Sequence, residues 1–569
     1  MCIATIILSA FTVVSTEAGP RMAVDGEALP AVATLPSPFV RPGESTNVIR
    51  SFSNAGIKLF SDLWTLNGKR EWWIGEGEYD WALFDKLVWG LLKGNRDAYV
   101  MPRIMLDPPK KWMQAHPAEM SSSGVEVNPA SLPWRAAYRR MLEDMIAHVG
   151  KSSYAKRIVG YHIGALHCGE WGDGKRPLSE FPAVDAKYAN NPLAPVEATA
   201  ARREYLRGRA KAAADALLDA AAIIKEKTCG KKIVCAFFGY GHSIEQEDLM
   251  RVVRSGMVDV FSSPAYYMPK WRGVGMPGIQ QAYCCRSSYA LNGRIFYEEA
   301  DPRTHLAKIR GKGVMMDQLR AGQPRDKMQS IGVVRRIIGK NLSQGTGLWW
   351  FLLAGNDTFA DDDIMVDVKL GACEERLNLM RKRPQTTDAA VFTSADEYAT
   401  SAGCHAKNLY RHKLLLHTES LPRTGVAYDA YELSDIANPA LPDYRVYVFP
   451  NAFSPNAAER AAIERLSALG KKVLHISKPI STDALRQLLS DAGAHVYLDT
   501  GDVVFAGRGY VVVHATTPGV KRIKLPGRCD VTEIFGAAKD YCGVTEFEND
   551  FKFGQTRVYS IKPSTGKVD

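Results

Sequence analysis

The sequence predicts a (β/α)8 barrel followed by two smaller regions, and three features carry that prediction. Short β-rich runs alternate with longer helical stretches from Ala31 onward, eight such runs fall before about residue 386, and the texture changes after Thr387. Alternation of this kind specifies parallel strands joined by crossover helices, and eight such units close into a barrel. The chain has 569 residues, 46% of them hydrophobic, which is more apolar material than one ordinary core uses.

In chain order, the segment "MCIATIILSAFTVVSTEAG" has the apolar content of a secretory signal, but no Lys or Arg precedes it and Thr and Ser interrupt it. It reads equally as one strand of a hairpin with "PRMAVDG", and the weak signal pattern favours a cytoplasmic over a secreted or periplasmic location. Strands are expected near 31–35, 57–62, 98–106, 158–163, 233–238, 258–263, 294–298 and 347–353. Helices separate most of them, among them "YDWALFDKLVWGLLKG", "WRAAYRRMLEDMIAHVG" and "AKAAADALLDAAAIIKEK". A doubly wound sheet would need one long sheet and offers no phosphate loop. The catalytic barrel with its N-terminal hairpin is therefore expected over 1–386.

Residues 387–499 read as a compact α/β region, with a strand opening "AAVFTSADEYA", a helix in "LLLHTESLPRTG", and a strand in "YRVYVFPNAF" followed by "NAAERAAIERLSALGKKVLHI". Residues 500–569 are rich in β-formers and turn residues, and read as a small β-sandwich or an antiparallel appendage.

Composition excludes several classes. The 72 Lys+Arg against 62 Asp+Glu give a net charge of +10 without a dense basic tail, so no nucleic-acid partner is expected. No later stretch has the continuous apolarity of a membrane helix. The ten cysteines form no CxxC pair, "HIGALH" lacks the HExxH pattern, and the Gly-rich stretches lack a Walker lysine or dinucleotide fingerprint. The acidic run "DDDIMVD" lacks the EF-hand glycine and reads as a solvated loop. Neither a metal nor a cofactor is expected.

The chemistry lies in the acidic residues at strand ends, because these barrels collect their active sites at the C-terminal ends of the strands. The fourth strand runs "RIVGYHIGALHCGEW" and places Glu170 just past its end, beside His167 and Trp171. The seventh runs "GRIFYEEADPRTH" and places Glu298, Glu299 and Asp301 at the same level. Two carboxylates across one mouth can divide glycoside hydrolysis: one protonates the departing oxygen, and the other attacks the anomeric carbon or activates water. Strand alternation groups Glu299 with Asp301 and Arg303, which favours Glu299 over Glu298 as the second carboxylate.

Other side chains supply hydroxyl partners and ring platforms for a sugar: Asp62 at the second strand, Arg103 and Asp107 at the third, Tyr240 and His242 in "FFGYGHS", Tyr266 in "SSPAYY", and Trp349 or Trp350 in "GTGLWWFLL". Trp72 and Trp73 either cover the pocket or form a core or interface pair.

On these residues the chain resembles clan A glycoside hydrolases, particularly the family 42 β-galactosidases and family 164 β-mannosidases. The resemblance is architectural and spans barrel, α/β region and β-region. It implies that Glu170 is the acid/base and Glu299 the nucleophile, with Glu298 one residue away as the alternative. It also implies an exo-acting β-glycosidase that cleaves terminal β-mannoside or β-galactoside residues from an oligosaccharide or glycoside with retention. By the same resemblance the middle region, flavodoxin- or amidotransferase-like but without a nucleophilic Cys elbow, assembles a homo-oligomer, a trimer. One departure stands out: clan members commonly carry Asn before the acid/base glutamate, and here the residue is Gly169. An inverting hydrolase or lyase on the same barrel, and a catalytically silent carbohydrate-binding protein, are the rival readings.

Overall fold

A computed structural model of the chain describes residues 9–36, 45–63, 71–120, 126–166, 169–172, 200–239, 246, 248–264, 272–279, 281–309, 311–313, 317, 320–382, 387–396, 416–450, 455–536 and 539–564. Eight parallel strands close a barrel: β1 (Val32–Leu35), β2 (Leu59–Leu63), β3 (Tyr99–Met105), β4 (Gly160–Gly164), β5 (Ile233–Phe237), β6 (Val260–Pro264), β7 (Ile295–Ala300) and β8 (Gly347–Phe351). Closure is made where β8 pairs with β1, in a register running from Leu348 opposite Val32 to Phe351 opposite Leu35. All eight lie where the alternation of strand-like and helix-like runs puts them.

The helices show why. In the helix Leu132–Lys151 the Ser131 hydroxyl accepts from the Trp134 amide at 3.1 Å, Pro133 occupies the first turn, and Trp134, Tyr138, Met141, Leu142, Met145 and Val149 form the buried stripe. A side-chain cap, an early proline and apolar residues at three- and four-residue spacing make an amphipathic helix that must lie on a sheet.

Inside the barrel, Ala33, Leu35, Leu59, Met101, Ile233, Cys235, Val260, Ile295, Tyr297, Trp349 and Phe351 form one apolar cluster. An N-terminal hairpin of Phe11–Thr16 and Gly19–Val24 adds Phe11 and Met22 to it. The Phe11 amide donates to Lys231 O at 3.0 Å, and its ring meets Tyr99 edge-on at 5.5 Å. Lys231 and Tyr99 precede or open their strands, so the hairpin plugs the N-terminal end and leaves chemistry to the opposite mouth. Trp72 and Trp73 are both buried and belong to the core.

The middle region forms a four-stranded parallel sheet of β9 (Ala389–Thr393), β10 (Tyr428–Glu432), β11 (Val446–Phe449) and β12 (Lys472–His475), in the order β10-β9-β11-β12. The C-terminal strands are β13 (Val503–Gly507), β14 (Tyr510–His514), β15 (Gly519–Glu533), β16 (Asp540–Phe551) and β17 (Thr556–Pro563). They form one five-stranded antiparallel sheet, ordered β13-β14-β17-β15-β16, and the expectation of a sandwich is corrected to a single sheet among the described residues. The barrel helix Lys327–Gln344 takes the place of a second layer. Gly339 of that helix comes so near the sheet that a Cβ there would stand 2.8 Å from methyls of both Val512 and Val558.

A second correction concerns the run "DDDIMVD". It opens the helix Asp362–Asn378, with the Asp361 side chain accepting from the amides of Asp363 and Ile364, because carboxylates stabilise the orphan amides and positive dipole end of a helix start. No helix among the described residues is long and apolar enough to cross a membrane.

Candidate active site

Strand alternation decides between the two adjacent glutamates. In β7, Ile295, Tyr297 and Glu299 face the barrel interior, and Glu299 lies level with Trp349 on β8 and Pro264 on β6. Glu298 faces outward onto the helix Lys327–Gln344, where Lys340 Nζ stands 3.0 Å from Oε1 and Asn341 Nδ2 donates to Oε2 at 2.6 Å. Both Glu298 oxygens are therefore committed, one to a buried ion pair and the other to a buried hydrogen bond. Glu299 is 3% exposed, and its Oε2 has no hydrogen-bond partner among the described residues.

Glu170 stands on the loop after β4, and that loop is tied by its own backbone. The Trp171 amide donates to Ala165 O and the Gly169 amide to Leu166 O, both at 3.0 Å, while the Trp171 indole donates to Ile163 O at 3.1 Å. Leu166, Gly169 and Trp171 have φ of 62°, 74° and 57°. For the two non-glycine residues this conformation costs on the order of 1–2 kcal/mol each, so the surroundings must enforce it. Asp107 enforces one end, accepting from the Leu166 amide at 3.0 Å. Gln246 enforces the other: its Nε2 donates to Glu170 O at 2.5 Å and its Oε1 accepts from the Gly239 amide at 2.7 Å.

Gly169, where the expected resemblance would place an asparagine, is closely surrounded. A Cβ at this position would lie 2.6 Å from Met105 Cε and 3.2 Å from Arg103 Nη2, so the space an asparagine would need is filled by Met105 and Arg103.

Arg103 lies between the two carboxyls in the electrostatic sense. Its guanidinium carbon sits 4.3 Å above the centre of the Phe237 ring, and its charge acts on Glu170, Glu299 and His162. Burial pushes the Glu170 carboxyl up to about 7, with Arg103 opposing. Burial pushes Glu299 up to about 8, opposed by Arg103 and Arg272 and reinforced by the charge of Glu170. Both carboxyls therefore hold their protons to higher pH than an exposed glutamate does. Burial likewise pushes Asp107 up to about 7.

The remaining expected residues fall as follows. Asp301 and Arg303 are buried and form an ion pair with each other, joined by Arg272, whose Nη2 lies 3.1 Å from Asp301 Oδ2. Trp349 faces inward and Trp350 packs outward against Phe359. Trp171 is fully buried. On β2 the alternation turns Ser61 inward with Leu59 and places half-buried Asp62 on the other face. His167, Tyr240, His242 and Tyr266 lie outside the described residues.

Sequence reasoning set aside or passed over His162, Gln246 and Arg272. His162 sits on the inward face of β4, fully buried, 4.5 Å from the Phe237 ring and 5.2 Å from the Trp349 ring, and burial with the Arg103 charge holds it well below its ordinary range. Its ring nitrogens and the Trp349 Nε1 have no hydrogen-bond partner among the described residues. Buried polar atoms without partners at a barrel mouth mark a place where a polar ligand or water completes the bonding. Period-two alternation through "GYHIG" is the signal for His162; Gln246 and Arg272 carry no such pattern in the sequence.

These features define a (β/α)8 barrel that carries Glu170 on the loop after β4 and the buried Glu299 on β7, with α/β and β-sheet regions appended. No protein-family model matches the chain, and no curated protein does. Among solved structures, the chain is similar to Gan42B, a GH42 β-galactosidase, with a TM-score of 0.61 at 10% identity, over 98% of this chain and 100% of that one. It is also similar to a β-galactosidase from the Antarctic haloarchaeon Halorubrum lacusprofundi, with a TM-score of 0.51 at 14% identity, over 91% of this chain and 81% of that one. At these identities the likeness is one of fold.

Proposed function

We propose that the protein is a retaining, exo-acting β-glycosidase in which Glu170 is the acid/base and Glu299 the nucleophile. The observation that carries this reading is the inward, buried Glu299 with an unpartnered oxygen, set in the field of Glu170 and Arg103 while its neighbour Glu298 is consumed by Lys340 and Asn341. In the first step the Glu299 carboxylate attacks the anomeric carbon as Glu170 gives its proton to the departing oxygen. In the second, Glu170 takes a proton from water, which displaces Glu299 and restores the starting state. The first step needs Glu299 ionised and Glu170 protonated; the Arg103 and Arg272 charges, which oppose burial at Glu299, favour its ionised form.

Terminal β-mannosides and β-galactosides are the substrates we propose, with the two similar solved β-galactosidases supporting the second. Arg103 and Trp349, on the inward faces of β3 and β8, are the substrate contacts in this reading. We further propose that residues 1–386 form the catalytic unit, that 387–499 assemble a homotrimer, and that 500–569 form a separate β-region. Azide rescue of Glu299→Ala and Glu170→Ala on an activated aryl β-glycoside tests the roles. Glu299→Ala should yield the α-glycosyl azide and Glu170→Ala the β-glycosyl azide. Rescue of Glu298→Ala instead, or inverted product from the unaltered enzyme, would overturn the assignment.

A further inference from the structure

The segment 272–279, after β6, brings a second cation, Arg272, to bear on Glu299, and its described residues are held from outside the barrel wall. Arg272 Nη2 donates to Asp301 O at 2.9 Å and to Asp301 Oδ2 at 3.1 Å, while Arg303 pairs with the same carboxylate and donates to Asp301 O at 3.1 Å. Asp301 follows directly on β7, two residues past Glu299. The Arg272 charge also lowers the proton affinity of Glu299. Together these contacts fix the end of the strand that carries Glu299 and place a positive charge near it.

The contacts that hold residues 272–279 come from three separate parts of the chain. From the helix Lys327–Gln344, Arg336 donates to Arg272 O at 2.9 Å, to Gly273 O at 2.8 Å and to Met276 O, and Lys340 donates to Gly278 O. From the middle region, Arg423 Nη2 donates to Gly275 O at 3.0 Å. From the C-terminal sheet, His514 Nε2 accepts from the Gly275 amide at 2.8 Å.

The network fixes the state of His514. The Thr556 hydroxyl gives its proton to Gly332 O, so it accepts from His514 Nδ1 at 2.7 Å, and this leaves Nε2 with the lone pair that the Gly275 amide needs. Burial and the nearby Arg336 and Arg423 hold the ring neutral, well below its ordinary range. Gly275, at φ 76°, leaves no room for a side chain, since a Cβ would stand 3.0 Å from the Phe553 ring.

We propose that Arg272 is a positioning residue for Glu299, acting through Asp301, and that His514 and Arg423 position Arg272, so that the two appended regions build part of the active site rather than only the surface around it. The catalytic part of this proposal rests on the assignment of Glu299 above; the clamp does not.

The test compares full-length Arg272→Gln, Arg272→Lys, His514→Leu, His514→Gln and Arg423→Met by amide hydrogen exchange and by the pH dependence of kcat/KM. Arg423→Met guards against misfolding of the more buried His514 variants. Exchange at 272–279 should rise in His514→Leu and Arg423→Met, and the rise should extend to 297–303. His514→Gln, which keeps an acceptor, should restore protection. Loss of such a supporting contact costs about 10- to 100-fold in activity. Arg272→Gln should show that loss in kcat, with the Glu299 limb of the pH profile moved upward, and Arg272→Lys should recover much of it. Unchanged exchange at 297–303 in both His514→Leu and Arg423→Met would overturn the clamp. An unmoved pH limb in Arg272→Gln would overturn the role of Arg272. If the unaltered protein cleaves no glycoside, the reading of the reaction fails, while the exchange experiment still decides the clamp.

Discussion

Two loops deliver charged groups to the same mouth, and they are held in opposite ways. The loop carrying Glu170 is held by backbone bonds within 163–171 and by two side chains of the barrel region, Asp107 and Gln246, 59 and 76 residues away. The loop carrying Arg272 is held by side chains 60 to 64 residues away on the helix Lys327–Gln344, and by Arg423 and His514, 148 and 239 residues away. The contacts named for the Glu170 loop all come from the barrel region, whereas Arg423 and His514 come from beyond it. Distant clamps depend on the integrity of whole regions, which ties the described barrel mouth to both appended sheets.

The largest expected effect breaks the distant side of this comparison. Glu298→Ala leaves the buried Lys340 without its carboxylate, and removal of one member of a buried ion pair costs about 3–5 kcal/mol. Lys340 also holds Gly278 O, so protection at 272–279 should fall with global stability, while residues 165–171 keep their protection. Denaturant unfolding combined with amide exchange measures both. A loss under about 1 kcal/mol would mean that Glu298 is not the structural glutamate of the pair.

A somewhat smaller effect, confined to the other loop, should follow Gly169→Ala. The backbone at φ 74° disfavours any side chain, and the new methyl would press on Met105 and Arg103. Strain and overpacking of this kind cost about 1–3 kcal/mol, and displacement of Glu170 should lower kcat by about 100-fold. Exchange at 272–279 should stay as it is. An enzyme of unchanged kcat would show that the Glu170 loop tolerates adjustment and that the two loops do not differ in the way described.

What could be read in the sequence follows the same division. The eight barrel strands and the inward position of Glu299 follow from periodicity, which is local, and the pairing of Glu298 with a helix 42 residues further on follows from the same alternation once the barrel is assumed. The strand Tyr428–Glu432 was hidden because its residues are buried in a parallel sheet, where a polar Asp and Glu still find partners and blur the expected apolar run. Arg272, Gln246 and His514 carry no local pattern at all. Their roles arise from hydrogen bonds between segments far apart in the chain, and only the folded structure brings those segments together.

The most direct test of the carboxyl pair needs no substrate: titration of the glutamate side chains in the unaltered protein, Glu170→Gln and Glu299→Gln, by carbon-13 carboxyl NMR. Two carboxyls should titrate near neutrality, at about 7 and about 8, because burial disfavours their charged forms. In Glu170→Gln the Glu299 titration should move downward, since the charge of Glu170 is one cause of its elevation. In Glu299→Gln a single neutral-range carboxyl should remain on Glu170. Titration of both groups in the ordinary carboxylate range, or a Glu299 midpoint indifferent to the loss of Glu170, would contradict an interacting pair of raised carboxyls.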